Sequence, residues 1–180
     1  MKVKETIPIA TVEIEAASLI ITIITAFLID RVGRRKLMLT GLSFMLISLL
    51  VLTLLLPLCM DHKISTTLLM IDLMVFISSY AVGIGGLFWL IIAEIFPLKS
   101  RGFLMGVITA ISWTSVLVFT SNSLGLLRYM GPSYTLSLHI ILCALGLWIC
   151  YRYLPETRGI SLESIEMRLR DGAPLRKLGS

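Results

Sequence analysis

Five long stretches of this chain carry no charge: residues 16–29, 37–60, 73–93, 102–127 and 129–151. Every Asp, Glu, Lys and Arg lies outside them, in the segments between them or in residues 1–15 and 152–180. Four of the five exceed the roughly 20 residues a helix needs to cross a hydrocarbon core about 30 Å thick. The first reaches that length only by extending N-terminally past Glu15 and Glu13 toward Ile7. Only 15% of the residues are charged, against about a quarter in a soluble domain. The pattern predicts an all-α polytopic membrane bundle with five spans, at about 7–29, 37–58, 68–93, 103–127 and 131–154. The bundle occupies 1–154. A tail of 155–180 follows, with a short amphipathic helix over 161–171 that has Ser161 as N-cap and Gly172 beyond its end.

The formal charge of +5 suggests nucleic acid until the basic residues are placed. With the 31–36 loop in the cytoplasm and sides alternating from there, the cytoplasmic segments hold twelve of the 16 lysines and arginines. Lys2, Lys4, Lys63 and Arg128 fall outside. This positive-inside bias predicts an external N-terminus and a cytoplasmic C-terminus. No basic patch interleaved with aromatics is present, which argues against a nucleic-acid partner. A cleavable signal peptide is not expected, because two glutamates interrupt the first apolar run. Asp72 is expected near the outer interface, given the cost of a charge at the bilayer centre.

Few residues are equipped for chemistry. Cys59, Cys143 and Cys150 lack CxxC spacing, and His62 and His139 are isolated. No disulfide framework, metal site or cofactor is therefore expected. Tyr80 to Trp89, YAVGIGGLFW, places Gly83, Gly85 and Gly86 within four positions. Each weakens a helix by up to about 1 kcal/mol relative to alanine. Either this is a pliant segment lining a path walled by Trp89, or the small residues let helices pack closely. Ser112-Trp113-Thr114 offers hydroxyls and an indole at mid-depth, directed at a substrate or bonded back to the helix. A basic inner loop accounts for the arginines of Asp30-Arg31-Val32-Gly33-Arg34-Arg35, but not for the aspartate or the central glycine. Glu94 and Arg101 are too far apart for a simple i,i+4 pair. A folded loop brings them together, or each pairs with a neighbouring helix end.

Three segments in this order, DRVGRR, GIGGLFWLIIAEIFPLKSRG and PETRG followed by SLE, resemble the sugar porter family of the major facilitator superfamily. The resemblance covers nearly the whole chain and corresponds to helices eight to twelve, the C-terminal part of the family's C-terminal half. It implies a sugar path along Trp89, Gly85, Tyr80, Ser112 and Trp113. It also implies a cytoplasmic gating network of Asp30, Gly33, Arg34, Arg35, Glu94, Arg101, Glu156 and Arg158. By this resemblance the two halves latch through that network, a bistable element of the kind alternating access requires.

The chain departs from the family pattern at several points. Ile84, Gly86 and Phe88 stand where the family carries prolines, Ser112 where it has Asn or Gln, and Ala81 where it has an acidic or polar residue. Ser18 takes the place of the polar residue of helix eight. The resemblance implies transport of a hexose, pentose or polyol by alternating access in a plasma or inner membrane, with no catalytic step. The expected partners are the sugar, the bilayer, and either an N-terminal half or a full-length carrier. The alternative is a truncated, non-transporting remnant or a subunit that associates with a full-length carrier. A channel is disfavoured by the lack of a filter motif.

Overall fold

A computed structural model describes residues 2–60 and 65–156, together with Ser164 and Met167. Arg158 and most of the helix expected over 161–171 lie outside the described residues. The described regular structure is helical: α1 (Lys2–Val32), α2 (Arg34–Met60), α3 (Thr66–Tyr80), a π-helical turn (Ala81–Gly85), α4 (Leu87–Ile95) and α5 (Arg101–Tyr153). The helices overrun the expected spans because absence of charge marks the apolar segment, whereas capping decides where a helix stops. Ser65 starts α3, its hydroxyl accepting from the Thr67 N–H at 3.2 Å. Phe96 turns extended ahead of Pro97, which ends α4.

The clearest difference from expectation lies in the last two spans. Residues 103–127 and 131–154 belong to one helical run, α5, broken at Gly131 (φ 80°, ψ 167°). A straight helix of 53 residues would extend about 80 Å. Instead the Phe119 and His139 rings, on opposite sides of Gly131, meet edge to face with centroids 5.2 Å apart. The two arms therefore fold back as a hairpin. One residue at positive φ makes this reversal, so Arg128, expected in a loop, stays within the helical run.

By length and composition, α2, the run Thr66–Ile95 and α5 can cross a membrane. Helix α2 is central, packing against α3, the π turn and α5. Its Leu37, Met38, Leu42, Met45 and Leu49 form the core with Leu87 and Ile91 of α4 and Cys143 of α5. Between lipid-immersed helices apolar burial supplies little net drive, so close packing and interhelical hydrogen bonds must hold the contact. Both are present. A Cβ on Gly83 would lie 3.0 Å from Gly41 Cα, so α2 and the π turn meet backbone to backbone.

The polar contact is Ser48 of α2 against Asp72 of α3, both buried. The Ser48 hydroxyl lies 3.0 Å from both Asp72 Oδ1 and the Asp72 carbonyl oxygen. Asp72, expected near the outer interface, is thus held against a neighbouring helix, and its Oδ2 has no hydrogen-bond partner among the described residues. Ser48→Ala strips the carboxylate of this donor and is expected to destabilise the fold by about 1–3 kcal/mol. Thermal unfolding in detergent measures this, with Ser43→Ala as comparison. The Ser43 hydroxyl donates only to the Leu39 carbonyl of its own helix, at 2.8 Å, so its loss should leave the midpoint nearly unchanged.

Candidate functional site

The π turn shapes one face of the bundle. Three closely spaced glycines make the α-helical register there easy to abandon, and π segments concentrate where a helix must re-aim its side chains. Ala81 N–H reaches the Ile77 and Ser78 carbonyls, and Gly86 joins the turn to α4 with φ −96° and ψ −34°. Both sequence readings of this segment have a structural counterpart. Gly83 is buried against Gly41, while Gly85 lies on an open cleft.

That cleft has a volume of about 410 Å³, within the range of small-ligand sites. One wall is Tyr80, Ile84, Gly85, Phe88 and Trp89; the other is Ile111, Ser112, Trp113, Ser115 and Val116 from the first arm of α5. All five residues assigned to the sugar path therefore line one space. Phe88 braces Trp89 edge to face, with centroids 5.2 Å apart and planes at 77°. The Ser115 hydroxyl donates back to the Ile111 carbonyl at 2.8 Å, which commits its proton to the helix. The polar groups on an otherwise aromatic and aliphatic surface are the Tyr80 and Ser112 hydroxyls and the two indole N–H groups. Such a surface can stack on the C–H face of a polyhydroxylated ring and hydrogen-bond its rim. Ser18 and Ala81 do not line it. Ile84 and Phe88, which replace family prolines, do.

A second constellation lies at the end of the bundle where α1 gives way to α2. Gly33 (φ 101°) is the single residue between these helices. Its turn presents the first N–H groups of α2 to Glu156, 122 residues downstream of Arg34. Glu156 Oε1 accepts from Arg34 N–H at 3.0 Å, and Oε2 accepts from Arg35 N–H at 3.3 Å. The carboxylate thus caps α2 from across the bundle, satisfying two orphan donors at the positive end of the helix dipole. A Cβ on residue 33 would stand 2.6 Å from Glu156 Oε2, so any side chain there must displace the carboxylate. The Arg34 guanidinium bridges Asp30 at 3.1 Å and Glu94 at 3.4 Å. Arg35 donates to the Tyr151 carbonyl at 2.9 Å and lies 5.9 Å from the centre of its ring.

Asp30, Gly33, Arg34, Arg35, Glu94 and Glu156 therefore form one cluster drawn from α1, α2, α4 and the segment after α5. Of the two arrangements open for Glu94, the structure has the neighbouring-helix one. Glu94 meets Arg34, whereas Arg101 Nε and Nη2 are buried without a hydrogen-bond partner among the described residues. The intervening loop is turned by Pro97 and Ser100, whose N–H bonds the Pro97 carbonyl, and this sends Arg101 into the start of α5. Sequence reasoning missed Tyr151, which is held through its backbone carbonyl and leaves no signal in residue type.

A protein-family model described as "Sugar (and other) transporter" matches residues 2–169. A facilitated trehalose transporter of Bombyx mori is 32% identical over 168 residues, covering 92% of this chain and 33% of the relative. A D-xylose-proton symporter-like protein of Arabidopsis thaliana is 35% identical over 156 residues, covering 83% of this chain and 29% of the relative. Among solved structures, the proton:xylose symporter XylE of the major facilitator superfamily superposes with a TM-score of 0.77 at 18% identity. That superposition covers 91% of this chain and 35% of XylE, and it shows a shared fold. The chain spans about a third of the length of the curated relatives it matches.

Proposed function

This chain belongs to the sugar (and other) transporter family, and from that premise we propose that it forms part of an alternating-access carrier for a hexose, pentose or polyol. The observation that carries the proposal is the cleft in which Tyr80, Gly85, Trp89, Ser112 and Trp113 converge. Trp89 serves as the aromatic floor and closes one side of the path. The π turn is the joint about which it moves. The cluster of Asp30, Gly33, Arg34, Arg35, Glu94 and Glu156, with Arg101 and Arg158, is the latch at the cytoplasmic end. The N-terminus then lies outside and the C-terminus in the cytoplasm of a plasma or inner membrane, as the distribution of basic residues favours.

Alternating access requires a second bundle to rock against, and both walls of the cleft come from this one bundle. A polypeptide of these 180 residues reconstituted alone is therefore expected to take up no sugar beyond empty liposomes. Co-reconstitution with the preceding helices of a related carrier is expected to restore uptake. Uptake by the 180-residue polypeptide alone would overturn this expectation. Failure of any combination to bind or move sugars would overturn the assignment of the cleft.

A second reading, a non-transporting subunit docked on an intact carrier, is favoured by the apolar surface of α5. Phe103, Trp113 and Leu117 are each about two-thirds exposed or more there, an apolar face that the helices of a carrier can cover in place of lipid. Co-purification with a full-length carrier at native expression levels decides between the two readings.

A further inference from the structure

A groove of about 410 Å³ runs between α2 and the second arm of α5, sharing no residue with the sugar cleft. Leu39, Ser43 and Leu46 form one wall; Ala144, Trp148 and Tyr151 belong to the other. Each set recurs at three- and four-residue intervals, so each is a continuous stripe along its helix. The Ser43 hydroxyl is bonded to its own helix, which leaves the groove with an apolar lining. Trp148 and Tyr151 are more than half exposed, the aromatic type and position typical of a headgroup-level belt.

One end of this groove is cationic. Arg35 sits over the Tyr151 ring and is fixed to the Tyr151 carbonyl, and its Nε is buried without a partner among the described residues. Lys36 lies one turn before Leu39 on the first wall and Arg152 one turn after Trp148 on the second, both exposed. Glu156, the carboxylate nearest this end in the cluster, is engaged by the Arg34 and Arg35 backbone N–H groups. Among the described residues, the end of the groove thus carries three cations beside one committed anion.

We propose that this groove is a binding site for an anionic glycerophospholipid. One acyl chain lies along the Leu39–Leu46 and Ala144–Trp148 walls, and the phosphate is held by Arg35, Lys36 and Arg152. Placement matches as well as charge: the cations stand at one end of an apolar trough, as a phosphate stands at the end of its acyl chain. Basic pockets between membrane helices select anionic headgroups in this way. The site rests on the reading of the chain as membrane-embedded, but not on any transport activity.

The test uses the full chain with Trp89→Phe and Trp113→Phe, so that Trp148 is the remaining fluorophore. The protein is reconstituted in phosphatidylcholine bilayers containing graded amounts of phosphatidylglycerol brominated on its acyl chains. Quenching of Trp148 is expected to saturate at a low mole fraction of the brominated anionic lipid. Brominated phosphatidylcholine should quench only in proportion to its abundance. Lys36→Gln with Arg152→Gln is expected to raise the half-quenching fraction roughly tenfold, with helicity by circular dichroism unchanged. Ala144→Phe, which fills the trough and leaves the cations, should abolish the preference by obstructing the chain. Equal quenching by both lipids, or a preference that survives both variants, would overturn the proposal. Absence of quenching by either lipid would remove the membrane placement itself.

Discussion

Replacing Trp89 by alanine is expected to weaken sugar binding at least tenfold, equivalent to about 1.4 kcal/mol. The indole is the largest surface on its wall of the cleft and is held rigid by the Phe88 edge 5.2 Å away. A preorganised aromatic plane binds a ring's C–H face at small entropic cost, which a flexible aliphatic side chain cannot match. Trp89→Phe keeps a plane and should recover most of the affinity, whereas Ala does not. Binding of radiolabelled sugar to the chain assembled with its complementary helices measures both. Ser112→Ala supplies the contrast. It removes one hydroxyl at the rim, worth about 0.5–1.5 kcal/mol, and should discriminate among sugar epimers rather than lower affinity for all. An unchanged affinity in Trp89→Ala would show that the cleft is not the sugar path.

Much of this arrangement is legible in the sequence, for different reasons in different places. Absence of charge reports the apolar segments directly, because a buried or lipid-facing charge is costly wherever it occurs. Glu94, Glu156 and the Arg34-Arg35 pair are conspicuous for the same reason: charges are few in so apolar a chain, and these stand at or just beyond helix ends. Trp89 and Trp113 stand out as aromatic residues near hydroxyls and glycines. What residue types do not reveal is partner choice. Glu94 could reach Arg34 or Arg101, and the fold decides by turning the 96–100 loop so that Arg101 enters α5. Similarly, nothing in the charge pattern shows that Gly131 reverses the chain in a single residue, or that the glycine run of α3–α4 becomes a π turn. Gly131 adopts angles open essentially only to glycine, but the chain has 13 glycines, and tertiary contacts decide which of them turn the chain or join a π turn. Asp72 shows the limit from the other side. Burial cost suggests an interfacial carboxylate, but residue type does not show that a serine 24 residues earlier donates to it.

At the α1–α2 junction, the Glu156 and Gly33 substitutions are expected to be strongly non-additive. Glu156→Ala alone removes a charged acceptor from two helix N–H groups, and should cost about 2–4 kcal/mol, since hydrogen bonds to charged groups contribute about 1.5–3 kcal/mol each and water repays part of the loss. Gly33→Ala alone has two penalties. One is backbone strain at φ 101°, of order 1–3 kcal/mol. The other is the contact of the new methyl with Glu156 Oε2, 2.6 Å away, which forces the carboxylate off the Arg34 and Arg35 amides. The single glycine change therefore also loses the cap that the single glutamate change removes. Once Glu156 is alanine, that second penalty is absent and only the strain remains. The double variant should then be less destabilised than the two single variants summed, by about 1–3 kcal/mol, the size of coupling found between residues in direct contact. Thermal unfolding of the four proteins in detergent gives the cycle, at about 2–4 °C per kcal/mol for a chain of this size. Additive shifts would mean that Gly33 is required for its φ angle alone. The cap on α2 and the tight turn would then be independent features rather than one latch.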